Sequence, residues 1–125
     1  MTATSPEADL LTGRTFRVGS LEGLPALETP TAEITFGVDG RLTGSATVNR
    51  INGTYRLEHG VLLCGPLAST MMAGPPDAMD QERRVCALLA GAPTVRAGAE
   101  GGIELVDRDA LVSVLRPVSG EEMML

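Results

Sequence analysis

Aromatic side chains are scarce in this chain of 125 residues: two Phe, one Tyr and no Trp. Phe16, Phe36 and Tyr55 cannot fill a core by themselves, so Leu, Val, Ile, Met and Ala must do it. Lysine is missing; all ten basic residues are arginine, against sixteen acids, for a net charge of −6. An acidic chain with no basic run and no aromatic platform is a poor nucleic-acid binder. It is as poorly matched to anionic membrane surfaces. No apolar run approaches the length needed to span a bilayer, so no membrane insertion is expected.

Cysteine and histidine are equally sparse. Two cysteines, Cys64 and Cys86, are too few for a disulfide scaffold. They lack CxxC spacing, and one histidine cannot complete a zinc set with them. The opening MTATSPEADLL carries two acids, no base and no apolar stretch, so it does not read as a signal peptide. A soluble, cytoplasmic protein with reduced thiols is expected, and the sequon at Asn52-Gly53-Thr54 is then idle. What is present is ordinary: 43% apolar residues in a chain of single-domain length.

The chain alternates short strands with tight turns. Residues 1–10 read as a flexible tail, 11–116 as the domain and 117–125 as a second tail, in which Met123, Met124 and Leu125 could dock. RTFRVGS is the first strand, and LEGLPALETPT, broken by Gly23, Pro25 and Pro30, is a loop. AEITFGVDGRLTGSATV is a hairpin with Asp39-Gly40 at its turn; Gly44 on the return strand marks a bend or a close backbone approach. NGTYRLEHGVLLCG is a second hairpin turning at Glu58-His59-Gly60. Three more strands follow residue 93, with turns at Ala99–Gly101 and Asp107–Asp109. One segment departs from this rhythm. From about 77 to 90 the spacing predicts a helix capped by Asp77, with Asp80 and Glu82 near its start, where the helix dipole favours anions. Met79, Val85, Cys86, Leu88 and Leu89 form its apolar stripe, and Gly91 and Pro93 end it. The expected fold is mainly β: about eight antiparallel strands in a small barrel-like or strongly coiled sheet, with one α-helix packed against it.

Residues 69–86, STMMAGPPDAMDQERRVC, read as a soft-metal site, a redox site, or the attachment of that helix. Met71 and Met72 are neighbours that point different ways, which suits copper poorly. A core poor in aromatics needs methionine as filler, so Met71, Met72 and Met79 are expected to pack. Cys86 on the apolar stripe reads as a buried, inert thiol, and Cys64 as the more exposed of the two. His59 is expected in a solvated turn with no nucleophile placed beside it. Glu100, Glu104, Asp107 and Asp109 read as a solvated rim rather than facing carboxylates. No calcium-loop or phosphate-loop spacing occurs. No catalytic, cofactor-binding or metal-binding residues are therefore assigned. The candidate surface, for interaction or as structural locks, is Asn49, Asn52, Tyr55, Thr70 and Met72. Of these, Asn49 and Thr70 are expected to bond loop backbone.

Four segments resemble the META domain family, also called HslJ-like, from about Leu11 to Arg116. LTGRTFRVGSLEG is similar to the family's opening strand, with Phe16 where Trp is usual. AEITFGVDGRLTG is similar to its first hairpin. TVNRINGTY is similar to the signature Gly-Cys-Asn-x-aromatic-x-Gly-x-Tyr: Asn49, Gly53 and Tyr55 match, and Thr47, Val48 and Ile51 depart. LASTMMAGPPDAMDQE is similar to a Thr-x-Met-Ala-Cys-Pro segment leading into a helix. Thr70, Met72, Ala73, Pro75 and Glu82 match, and Gly74 stands where Cys is expected. The resemblance implies a barrel-like sheet with an attached helix in a bacterial, stress-linked and poorly characterised family without accepted catalytic residues. It also implies that Val48 and Gly74 occupy the positions of a bridge between two loops. Losing a native bridge typically costs roughly 2–5 kcal/mol, which Val48 packing under the helix is expected to offset. The role implied is a non-enzymatic accessory or interaction module with an unknown protein partner. The alternative is a carrier of a small apolar ligand, within or at the mouth of the barrel. Oligomeric state is not legible.

Overall fold

The computed structural model describes residues 10–118. The expected tails over 1–10 and 117–125, with Met123, Met124 and Leu125, lie almost wholly outside the described residues. Eight antiparallel strands close into a barrel: β1 (Arg14–Leu21), β3 (Glu33–Phe36), β4 (Arg41–Ser45), β5 (Arg50–Glu58), β6 (Val61–Cys64), β8 (Thr94–Ala97), β9 (Ile103–Val106) and β10 (Val112–Pro117). The barrel closes where β10 pairs β1, from Phe16↔Pro117 to Ser20↔Val114, with an irregularity in register between Val18 and Ser20. Two short strands lie beside this path. β2 (Leu24–Pro25) folds back on β1, inside the stretch expected to be all loop, and β7 (Ala68–Ser69) pairs β5. A two-residue strand containing a proline is too short to leave an alternating pattern.

Period-two alternation sends Phe16, Val18, Ile34, Phe36, Leu42 and Ile51 inward, where they are buried. Leu62, Val95, Ile103, Leu105 and Leu115 arrive from the other strands of the wall. Phe16 and Phe36 meet edge to face at 6.0 Å, and Phe36 meets Tyr55 at 5.1 Å. Three rings thus form one stack, and aliphatic side chains occupy the rest of the interior. The Asp39-Gly40 turn forms as expected. Gly40 takes a positive φ of 85°, and the Asp39 carboxylate accepts from the Arg41 N–H at 3.1 Å. Gly44 is the close approach. At φ 151°, a Cβ there would lie 2.1 Å from the Glu33 carbonyl oxygen, so only glycine fits.

The helix α1 (Pro76–Ala90) leaves the wall between β7 and β8. Its first helical residue is Pro76, after Pro75 at the cap position. Proline suits that place because its missing N–H is not needed there. The expected cap, Asp77, sits two residues past the cap position, in the first turn: its carboxylate accepts only from the neighbouring Ala78 N–H, at 2.9 Å. The Gly91 N–H bonds the Leu88 carbonyl and ends the helix. Ala78, Gln81, Glu82, Val85, Leu88 and Leu89 are its buried face. Val85, Leu88 and Leu89 join the barrel core, with Met79 half-buried beyond them. The β6–β8 join is a single residue pair, Val61↔Thr94, the shortest in the wall. It is the join whose two strands the helix separates in sequence.

Candidate functional site

At one end of the barrel the β4–β5 turn, the segment before the helix and α1 itself meet at a buried polar centre. Asn49, 3% exposed, occupies its middle. Its amide nitrogen donates to the Met72 carbonyl at 3.0 Å and to the Glu82 carboxylate at 2.7 Å. Its amide oxygen accepts from the Thr70 hydroxyl at 2.8 Å and from the Met72 N–H at 2.6 Å. One side chain thus spends every hydrogen-bonding position it has on the pre-helix segment and the helix. The Thr70 hydroxyl also accepts from the Arg50 N–H at 3.1 Å.

Glu82, 8% exposed, is the second hub. One carboxylate oxygen accepts from the Val48 and Asn49 N–H groups at 2.8 and 2.7 Å. Burial alone would raise the Glu82 pKa. Hydrogen bonds from the Asn49 side chain and from the Asn49 and Val48 N–H groups outweigh it, and hold the carboxyl below its ordinary value. Beside it, Gln81 accepts from the Leu27 N–H at 2.7 Å and donates to the Thr47 hydroxyl at 3.0 Å. The helix is therefore tied by side chains to two separate connections, the β2–β3 loop and the β4–β5 turn, and through Asn49 to the segment before it. Thr47 sits at φ 129°, a conformation unfavourable to a β-branched residue.

The model of the META domain family matches residues 9–117. This chain belongs to the META domain family. Two solved structures share its fold. A protein studied by NMR superposes with a TM-score of 0.70 at 24% identity, over 93% of this chain and 95% of that one. A Burkholderia xenovorans protein, also an NMR structure, gives 0.71 at 19% identity, over 95% of each chain. Identities this low speak to fold alone. No curated protein matches at a significant level.

Within this META domain the positions where the family resemblance implies cysteines lie against each other. A Cβ built on Gly74 would stand 3.5 Å from the Val48 Cβ and 2.7 Å from its Cγ2. Val48 thus packs against the pre-helix segment rather than under the helix. Thr47, standing where the signature has glycine, carries the positive φ that a glycine would take freely.

The five candidate residues separate into groups. Asn49, Thr70 and the backbone of Met72 form the lock just described. Asn52 lies close by but faces outward from β5, exposed, into a groove it shares with Thr70. Tyr55 belongs to a different lock: its hydroxyl donates to the Gly37 carbonyl at 2.6 Å and fastens the β3–β4 turn. The Met72 side chain is 63% exposed and that of Met71 93% exposed, against the expectation that both fill the core. Asn49 holds the Met72 backbone by both its N–H and its carbonyl. The side chains of this segment consequently point to solvent.

The sequence named Glu82 only as an acid at the helix start and a match to the family segment, Thr47 only as a departure from the signature, and Gln81 not at all; none was expected in a buried centre. A signal for Gln81 and Glu82 was present: they fall three and four residues after Ala78 and before Val85, on the helix's apolar stripe. A polar residue at such a place is buried with a partner. His59 is exposed in the β5–β6 turn at φ 53°. Both cysteines are half-buried, Cys86 included, where a buried thiol was expected. Burial pushes the Cys64 pKa up to about 11. Burial, then the nearby Glu82 charge, raise that of Cys86. The four acids expected at a rim are dispersed. Glu104 pairs with Arg96 at 2.6 Å, Asp107 accepts from the Asp109 and Leu111 N–H groups, and Glu100 and Asp109 are exposed. Among the described residues no helix is long and apolar enough to cross a membrane.

Proposed function

We propose that this domain is a non-enzymatic, cytoplasmic interaction module, stress-linked in role, whose working surface is the β4–β5 signature segment with the pre-helix segment. The exposure of Met71 and Met72 on a backbone pinned by Asn49 carries this reading. Methionine is flexible and polarisable, and it suits surfaces that must fit a partner's apolar pocket. A fixed backbone beneath it lowers the ordering cost of binding. Valine and glycine in place of the signature cysteines suit a reducing compartment, where a bridge would not persist. Replacing both methionines, Met71→Ser with Met72→Ser, is expected to abolish capture of the partner that the wild-type domain retains. The melting temperature should barely move, because neither side chain is buried. A captured partner that survives the double substitution would remove the methionines from the interface.

A second reading is a carrier of a small apolar ligand. Side chains fill the barrel, so the interior does not favour this reading. A groove of about 480 Å³ does, between the helix and β5–β6, lined by Ile51, Cys64, Pro66, Leu67, Cys86 and Ala90. Native mass spectrometry of protein purified from its own cells tests it. A co-purified mass that is lost in Leu67→Asp supports the carrier, and the bare chain mass alone ends it.

A further inference from the structure

The outer face of β3, β4, β5 and β7 holds a groove of about 720 Å³, a size that suits one small molecule. Strand register decides what lines it. Glu33 lies opposite Ser45, and Ser45 opposite Arg50. Thr43 lies opposite Asn52 in the next row. Directly paired residues share a face of the sheet, so both rows look into the groove.

Among the described residues, the side chains of Thr43, Ser45, Asn52 and Arg50 make no hydrogen bond or ion pair with the rest of the chain. Glu33, at the far side, is paired with Arg17 at 3.6 Å. The groove therefore presents one unpartnered guanidinium, two hydroxyls and one carboxamide, at places set by sheet geometry. A guanidinium is a planar fork that pairs bidentately with a carboxylate. Hydroxyls and carboxamides both donate and accept, which matches hydroxyl groups on a ligand. No aromatic ring lines the groove, so a neutral sugar would find nothing to stack on. The single carboxylate, Glu33, and the net charge of −6 disfavour ligands of higher negative charge. Glu33 and Arg50 stand two strand spacings apart, about 10 Å between backbones, which leaves room for one ring or a short chain.

We propose that this groove binds a small hydroxylated monocarboxylate of the sugar-acid class. Its carboxylate sits on the Arg50 guanidinium and its hydroxyls meet Ser45, Thr43 and Asn52. The groove borders the proposed working surface and shares Arg50, Asn52 and Thr70 with it, but neither Met71 nor Met72 lines it, so the site would stand if the methionine reading failed.

The test is an NMR titration of the full chain with glucuronate, beside glucose and inorganic phosphate. Glucuronate should bind with a Kd on the order of 1 mM and move the amide signals of Thr43, Ser45, Arg50 and Asn52. Arg50→Gln should weaken it about tenfold or more, the cost of a charge-assisted bidentate contact. Arg50→Lys should fall between, because the charge stays and the fork is lost. Thr43→Val should weaken glucuronate but leave phosphate unchanged. All are exposed positions, so an unchanged remaining spectrum verifies the fold. Absence of shifts with glucuronate would overturn the proposal. So would equal binding of phosphate, which means that charge alone is read, or equal binding of glucose.

Discussion

Joining residues 48 and 74 tests the geometry of the helix attachment directly. In Val48→Cys with Gly74→Cys, the Cβ atoms would stand 3.5 Å apart, at the short end of the disulfide range of about 3.5–4.5 Å. The closed loop holds roughly 26 residues, for which chain entropy predicts at most about 3.5 kcal/mol of stabilisation at 25 °C. Some of that is lost to strain, because the separation is short. For a domain of this size each kcal/mol moves Tm by about 3–5 °C, so the bridged form should melt roughly 10 °C above its reduced form. Circular dichroism melts with and without reductant, with a thiol titration to count the bridge, would measure it. Gly74→Ala alone should destabilise by about 1–3 kcal/mol, because the new Cβ would meet Val48 Cγ2 at 2.7 Å. Adding Val48→Ala should return most of that. A pair that stays reduced under mild oxidation, or a bridge that leaves Tm where it was, would refute the contact between the two loops.

The Glu82 carboxylate should make stability fall in acid. Its folded pKa lies below its ordinary value. Its contribution is therefore full above the ordinary glutamate range near about 4.3 and lost as pH drops through the folded value. Glu82→Gln turns an amide N–H₂ toward donors, and should cost about 2–4 kcal/mol while flattening the acid limb of a denaturant-stability profile. An acid limb as steep as wild type would disprove it. At Thr47, glycine should be more stable than alanine by about 1–2 kcal/mol, since both lose the Gln81 bond and only glycine relieves φ 129°; equal urea midpoints would contradict that. Cys64, with its pKa pushed up to about 11, should react with iodoacetamide at pH 8 on the order of 100-fold more slowly than a free thiol. Alkylation at the rate of free cysteine would show the burial to be wrong.

Much of the wall was legible because its signals are local. Alternation over RTFRVGS and AEITF, the Asp39-Gly40 turn and the helix bounded by prolines and Gly91 each depend on a few neighbouring residues. The resemblance to META domains rests on the same segments in order, and the family match over residues 9–117 bears it out. Misreadings arose where a residue's surroundings come from far along the chain. Asp77 looked like a helix cap, but the helix starts two residues earlier than such a cap would allow, on Pro76. Met71 and Met72 looked like core filler, but Asn49, more than twenty residues away, takes up their backbone and leaves the side chains outside.

Sequence by itself determined the composition of the core, the strand and turn pattern, and the presence of a helix between the fifth and sixth strands of the barrel. Those follow from side-chain period and turn chemistry, which act over a few residues. Tertiary structure alone decided that Asn49 and Glu82 form one hydrogen-bonded centre. It likewise decided that Ser45 and Arg50 share a groove with Glu33. Pairings across 12 to 34 residues are set by barrel closure, which brings distant backbone into register without leaving any periodic trace along the chain.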